Sequence, residues 1–305
     1  MSAAAAPGRP AWRRALSHWL PVAVMAPLLV IPVAYVVGFT LWTTWISFTE
    51  STLLPDYTLV GLRNYIRLFA NRPFQVAYGN LVIYGASFVG AATAIGFVLA
   101  ILLDQRIRAE NAIRAIVLYP MAVSFVVTGT VWGWILNPGL GLQSLVRGLG
   151  WPGFRFDWIV DRDMAIYTVV IAAVWQASGF AMSLFLAGLR SLDGEIYKAA
   201  QIDGAGPARL YMRVVLPAIW PIVVTILVVL LQFAVKTYDL VVALTSGGPG
   251  IATTLPSLVV YNYMFQRGQL GLGSAAAVML LLSVAAVLLP VAAVRAWNRR
   301  GAAHV

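Results

Sequence analysis

The sequence predicts an all-α membrane protein with six transmembrane helices, and three observations carry that prediction. Of its 305 residues 61% are hydrophobic and only 10% charged, with a mean hydropathy of +0.83; soluble domains carry roughly 25% charged residues. Six apolar runs, 20–44, 81–103, 113–136, 165–189, 218–235 and 274–294, approach the ~20 residues that cross a bilayer. Lastly, with the N-terminus inside, thirteen Lys and Arg fall in inner segments and seven in outer loops. Cations favour the cytoplasmic side, so both termini and the polar stretch 190–217 are expected there. The net charge of +10 thus reads as an orientation signal, and no nucleic-acid partner is expected.

The chain divides into a cytoplasmic tail (1–19), one membrane domain (20–296) and a second tail (297–305), with no sizeable soluble part. It has no cysteine, which excludes disulfides and thiolate metal sites. His18 and His304 lie near the ends and are expected to be solvated, so no metal centre is predicted.

Residues 1–18 are rich in Ala and Pro and are expected to be loosely ordered. A signal peptide is the rival reading, but the apolar run that follows is too long and lacks a cleavage site. Pro21, Pro27 and Pro32 fall in the first span, where neighbouring helices must satisfy the freed carbonyls. In the outer loop, GLRNYIRLF sets Leu62, Tyr65, Ile66 and Phe69 on one helical face and Arg63 and Arg67 on the other. That pattern predicts a helix lying in the interface plane.

The second span ends at Asp104. In the third, Ser124, Thr128 and Trp132 recur every four residues. That face serves either helix packing, as small polar residues often do in membranes, or the lining of a pore. Asn137, Pro138 and Gly139 turn the chain outside. The fourth span carries Trp175, Gln176 and Ser178.

Between the fourth and fifth spans lies SLDGEIYKAAQIDGAGPARLYMRVVLP. Asp193 stands where an N-cap belongs, and Glu195 to Ile202 contains no Gly or Pro. Gly204 and Gly206 interrupt, and Pro207 suits the first turn of a second helix. Arg209 and Arg213 fall on one face of it. The stretch predicts helix, glycine bend, helix at a membrane surface.

In the fifth span Gln232, Lys236 and Asp239 fall at i, i+4 and i+7, beside Tyr238. An ionisable residue at membrane depth costs about 2.5–3.5 kcal/mol and usually faces a polar cavity with a partner. Lys236 and Asp239, at i and i+3, are expected to pair, lining a path or latching its outer gate. Snorkelling of Lys236 at the span's edge is the plainer alternative. Gly247, Gly248, Pro249 and Gly250 then form a turn before the sixth span.

The stretch 190–217 resembles the EAA loop of membrane subunits of ABC importers, in its carbohydrate form E-x-x-E-A-A-x-x-D-G-A followed by I/V-x-L-P. Glu195, Ala199, Ala200, Asp203, Gly204, Ala205, Leu216 and Pro217 match, with Val214 or Val215 before them. Lys198 stands where the family has a glutamate. The GLRNYIRLF segment is similar to the family's GLxNYxxLF. The run from Tyr119 to Asn137, KTYDLVVALTSGGPG and FQRGQLGLGSA look most like glucose/mannose-type members.

The resemblance implies a type I importer transmembrane domain in the bacterial inner membrane. The loop 190–217 would dock on a separate ATPase, which alone binds ATP and Mg. Implied partners are a second permease, a pair of ATPase subunits, an extracytoplasmic binding protein and its sugar. Ser124, Thr128, Trp132, Trp175, Gln176, Gln232, Lys236, Tyr238 and Asp239 are candidates for the substrate path. The chain itself is expected to be no enzyme and to bind no cofactor. Its only lysines, Lys198 and Lys236, lie outside any phosphate-binding loop G-x-x-x-x-G-K-[ST]. An importer of another polar solute, such as an oligosaccharide or glycerol phosphate, is the alternative. An ion-coupled transporter would use intramembrane acids or histidines, of which Asp239 is the sole acidic candidate.

Overall fold

The structure, a computed structural model, describes the backbone of residues 11–105 and 107–302. Side chains are described for residues 25–105, 107–286, 288 and 289. Residues 1–10 and His304 therefore lie outside the described part, as does the side chain of His18. The helices are α1 (Ala11–Ile46), α2 (Arg63–Phe69), α3 (Arg72–Asp104), α4 (Glu110–Ala122), α5 (Phe125–Ile135), α6 (Leu142–Gly148) and α7 (Ala165–Ser191). There follow α8 (Gly194–Ile202), α9 (Pro207–Arg209), α10 (Leu216–Ala218), α11 (Trp220–Lys236), α12 (Asp239–Thr245), α13 (Pro256–Tyr261) and α14 (Leu270–Ala302). Residues 210–215 and 262–266 wind as π-helix. Among the described residues the one β contact is an isolated bridge between Thr49 and Leu59.

The centre of the fold is α7. Of its most apolar 18-residue window 72% is buried, because small residues let its neighbours come close. A Cβ on Gly96 of α3 would stand 2.5 Å from that of Ala181 of α7. On another side Gly179 lies against the backbone of Val117 in α4, with no room for a Cβ. Helices in lipid gain from such approach because they have no hydrophobic drive between them. The main core runs through Phe88, Ala92, Met182, Phe185, Ile226 and Leu230. A second cluster joins Leu68, Phe74, Tyr263 and Leu272.

Among the described residues the expected spans are not all straight helices. Three described helices are long and apolar enough to cross a membrane alone, 25–46, 72–104 and 165–191, or up to five spans if each bent pair counts as one. The third span breaks by 99° between α4 and α5. Pro120 occupies the last turn of α4, where its ring and missing N–H disrupt the ladder. Ser124 then caps α5, its Oγ accepting from the Val126 N–H at 3.2 Å. The fifth bends by 80° between α10 and α11, at Ile219 between Pro217 and Pro221. In the sixth, the described apolar stretch is Leu270–Ala286.

One further expectation changes. The helix α1 begins at Ala11, inside the stretch expected to be loose, and α14 runs on to Ala302. The helix α2 turns Ile66, 68% exposed, and Phe69, 52% exposed, away from the rest of the chain, and it buries Asn64 and Leu68. The Asn64 amide donates to the carbonyls of Ser47 and Thr49 at 2.9 and 2.8 Å. It thereby closes the polar end of the loop that follows α1.

Candidate functional site

A cavity of about 320 Å³ lies between α3, α4, α5, α7, α11 and the start of α12. Its walls are aromatic: Tyr84 and Phe88 from α3, Phe125 from α5, Phe180 from α7 and Phe233 from α11. Phe180 and Phe233 face each other with ring centroids 5.8 Å apart. Polar groups enter from two places, Gln176 of α7 and the sequence Lys236-Thr237-Tyr238-Asp239. Tyr84 and Thr237 share a hydroxyl hydrogen bond of 3.1 Å, which ties α3 to that connection.

The polar connection exists because α11 stops at Lys236 and α12 starts at Asp239. Asp239 in the first turn of α12 sits well at the positive end of that helix. The break also overturns the expected ion pair. Lys236 and Asp239 are separated by non-helical residues, and neither makes an ion pair among the described residues. Gln232 leaves the shared face as well, since it lies with Val235 against Val284 and Leu288 of α14.

Gln176 is 5% exposed. Its Nε2 donates at 2.7 Å to the carbonyl of Val123, which the α4–α5 break has freed from its helical partner. Its Oε1 is buried with no hydrogen-bond partner among the described residues. The rest of the expected path is not brought to the cavity. Ser124 is the α5 cap, and Thr128 is buried with its hydroxyl unpartnered among the described residues. The rings of Trp132 and Trp175 meet edge to face at 5.9 Å. On α5 the wall is made by Phe125. Sequence reasoning missed the aromatic walls; Tyr84 and Phe88 at i and i+4 were the available signal, faint in a chain so apolar.

The segment 190–217 is built from local rules. Asp193 caps α8, its Oδ1 accepting from the Glu195 N–H at 3.1 Å. At the other end Gly204 takes φ +74°, a left-handed conformation that glycine adopts without strain. Its N–H donates to the carbonyl of Gln201, and the next N–H, of Ala205, reaches back to that of Ala200, both at 3.0 Å. This pair of bonds is the Schellman ending of a helix, and it explains the pattern A-x-x-D-G-A in physical terms. Pro207 opens α9. The π-helical turn that follows brings Leu210 and Val215, five apart, to the buried side together with Ala200.

The outward side of the segment carries Glu195, Lys198, Ala199, Asp203 and Pro217, all exposed, with Ile202 86% exposed. Lys198 pairs with Glu195 at 3.1 Å in the open. On the inward side burial, and then the negative charge of Asp104, raise the phenol pKa values of Tyr197 and Tyr211.

Residues 92–301 match the family model described as "binding-protein-dependent transport system inner membrane component". A probable ABC transporter permease protein of Pyrococcus horikoshii is 37% identical over 87% of this chain and 92% of its own length. The trehalose/maltose transport system permease protein of Thermococcus litoralis is 33% identical over 88% and 92%. In a crystal structure of a bacterial ABC transporter that imports the acidic polysaccharide alginate, one chain superposes with TM-score 0.77 at 20% identity, over 91% of this chain and 95% of that one. The chain belongs to the family of inner membrane components of binding-protein-dependent ABC transport systems, as a membrane-embedded permease subunit and not an enzyme.

Proposed function

We propose that the chain is one of two permease subunits of an ATP-driven importer, and that a sugar handed over by a binding protein passes through its cavity. The observation that carries this reading is continuity along α7. One helix supplies Gln176 and Phe180 to the cavity wall and, after Leu192, leads into α8, whose outward face is exposed. Aromatic walls with a few polar groups suit a hydroxyl-rich solute, and about 320 Å³ falls at the small end of ligand sites of about 300–1,000 Å³. ATP and Mg act on the partner ATPase, which the segment 190–217 engages through Glu195, Lys198, Ala199 and the Gly204 bend. The membrane is the bacterial inner membrane, with both termini in the cytoplasm.

The glucose- or mannose-like preference rests on the motif resemblance. A second reading, an anionic polyol such as a glycerol phosphate, is supported by a relative: an sn-glycerol-3-phosphate transport system permease protein of Pectobacterium atrosepticum is 32% identical over 90% of this chain. The test is ATP hydrolysis by the reconstituted complex. Stimulation by binding protein loaded with a neutral sugar supports the first reading, and stimulation by a polyol phosphate alone supports the second. Uptake that collapses with an uncoupler while ATP remains would overturn both.

A further inference from the structure

We infer that α4 and α7 move as one rigid body, tied by side chains of α7, and that the break at Val123–Ser124 is the hinge on which this body turns against α5 and α12. The inference rests on the transport reading above and adds to it which parts move.

The ties fall at both ends and the middle of α4. At the broken end, the Gln176 amide donates to the Val123 carbonyl at 2.7 Å. Midway, Gly179 meets the Val117 backbone with no room for a Cβ. At the cytoplasmic end, Arg190 donates to Glu110 at 2.7 Å. Glu110 also holds Arg114 at 3.1 Å, and Arg190 reaches towards Asp104 of α3 at 3.7 Å. The register is matched: at 1.5 Å per residue, Gln176 to Arg190 rises about 21 Å and Glu110 to Val123 about 20 Å.

The helix α5 belongs to a different body. It packs chiefly on α12, where a Cβ on Gly129 would stand 2.6 Å from that of Ala243 and 3.0 Å from the Leu240 carbonyl. Across the seam, backbone continuity between α4 and α5 is left to Val123 and Ser124. The cavity straddles that seam, with Met121 and Gln176 on one side and Phe125 and Leu240 on the other. A displacement of α8 reaches α7 at Leu192, and from α7 it reaches α4 through the three ties. It arrives at the cavity as rotation about the break.

The absence of native cysteine makes the test direct. Spin labels go on Ile116→Cys of α4 and Ala187→Cys of α7 in one variant, and on Trp134→Cys of α5 and Ala187→Cys in another. All three positions are exposed. Each labelled chain is assembled with its second permease and ATPase, and measured without nucleotide and trapped with ATP and vanadate. The 116–187 distance is expected to stay fixed and the 134–187 distance to shift. A 116–187 shift as large as the other, or a fixed 134–187 distance in a trapped complex, overturns the inference. Failure of the unlabelled complex to form any vanadate-trapped state overturns the transport reading instead, and this inference with it.

A second arm tests the ties. Combining Gln176→Leu with Arg190→Met should broaden the 116–187 distribution and lower uptake per ATP hydrolysed several-fold. A purely structural defect would lower uptake and hydrolysis together at constant ratio. A narrow distribution with an unchanged ratio would show that the ties hold nothing.

Discussion

Between Asp193 and Ala205 the backbone is held by hydrogen bonds that span at most five positions, whereas the cavity is closed by contacts such as Tyr84 to Thr237, 153 positions apart. The first region turns its polar groups outward, where water already satisfies them, and its shape is set by a cap and one left-handed glycine. The second keeps few polar groups and gives them to breaks in helices. Gln176 answers a carbonyl freed at one break, and Lys236 and Asp239 flank another. The contrast teaches that the segment is specified by conformation and the cavity by topology, so substitutions should hurt them in different ways.

The largest effect is expected at Gly204. A Cβ there meets nothing within 4 Å, so the cost is conformational, about 1–2 kcal/mol for an L-residue held left-handed. Gly204→Leu should leave the protein in the membrane and cut uptake about tenfold or more, because the Schellman ending opens and α8 loses its place. Gly204→Asp should be milder and Gly204→Asn mildest, since short polar side chains tolerate that conformation best. Normal uptake by Gly204→Leu at matched membrane levels would remove conformation as the segment's governing property.

Next comes the cavity wall. Phe180→Ala removes one of two facing rings, a contact worth about 0.5–1.5 kcal/mol beyond its area. The sugar-loaded binding protein needed for half-maximal ATPase stimulation should rise several-fold, with membrane level unchanged. An unaltered half-saturation would mean that the aromatic wall does not meet the solute.

Lys236 and Asp239 sharpen the comparison further. Had they formed a pair, removing both would cost less than the sum of the single losses. Lining one cavity without an ion pair between them, they should show no such rescue. In a double-mutant cycle of Lys236→Met and Asp239→Leu, the double variant should lose at least as much uptake as the two single losses together. A double variant that regains uptake would show contact between the two in the working protein.

The smallest effect belongs to Lys198→Glu. The side chain is 71% exposed and its bond to Glu195 is a surface pair, worth about 0.2–1 kcal/mol. Uptake should change by less than about threefold. Loss of assembly with the ATPase, read by co-purification, would make the charge of this residue part of the docking contact.

What could be read from the sequence follows the same division. Asp193, Gly204 and Pro207 act through neighbours two to five positions away, so their roles were visible as written. Lys236 and Asp239 were placed by a rule that assumes an unbroken helix, and the chain stops helical winding at Thr237. Tyr84, Phe88 and Phe233 went unnoticed because in a chain this apolar nothing local separates a cavity wall from a packed core.

The bareness of α1 has a consequence for how the molecule is made. None of its apolar 18-residue window is buried within the chain, and its main helical neighbour is α14, far on in the chain. Such a helix can leave the ribosome, enter the lipid and wait for α14, since its apolar surface is satisfied by lipid in the meantime. With α7 the reverse holds, because most of its surface is complementary to helices on both sides of it in sequence. Changes to α1 that keep its length and hydropathy should therefore pass through biogenesis unnoticed, while a single enlarged side chain at Gly179 would be met as a failure of late assembly.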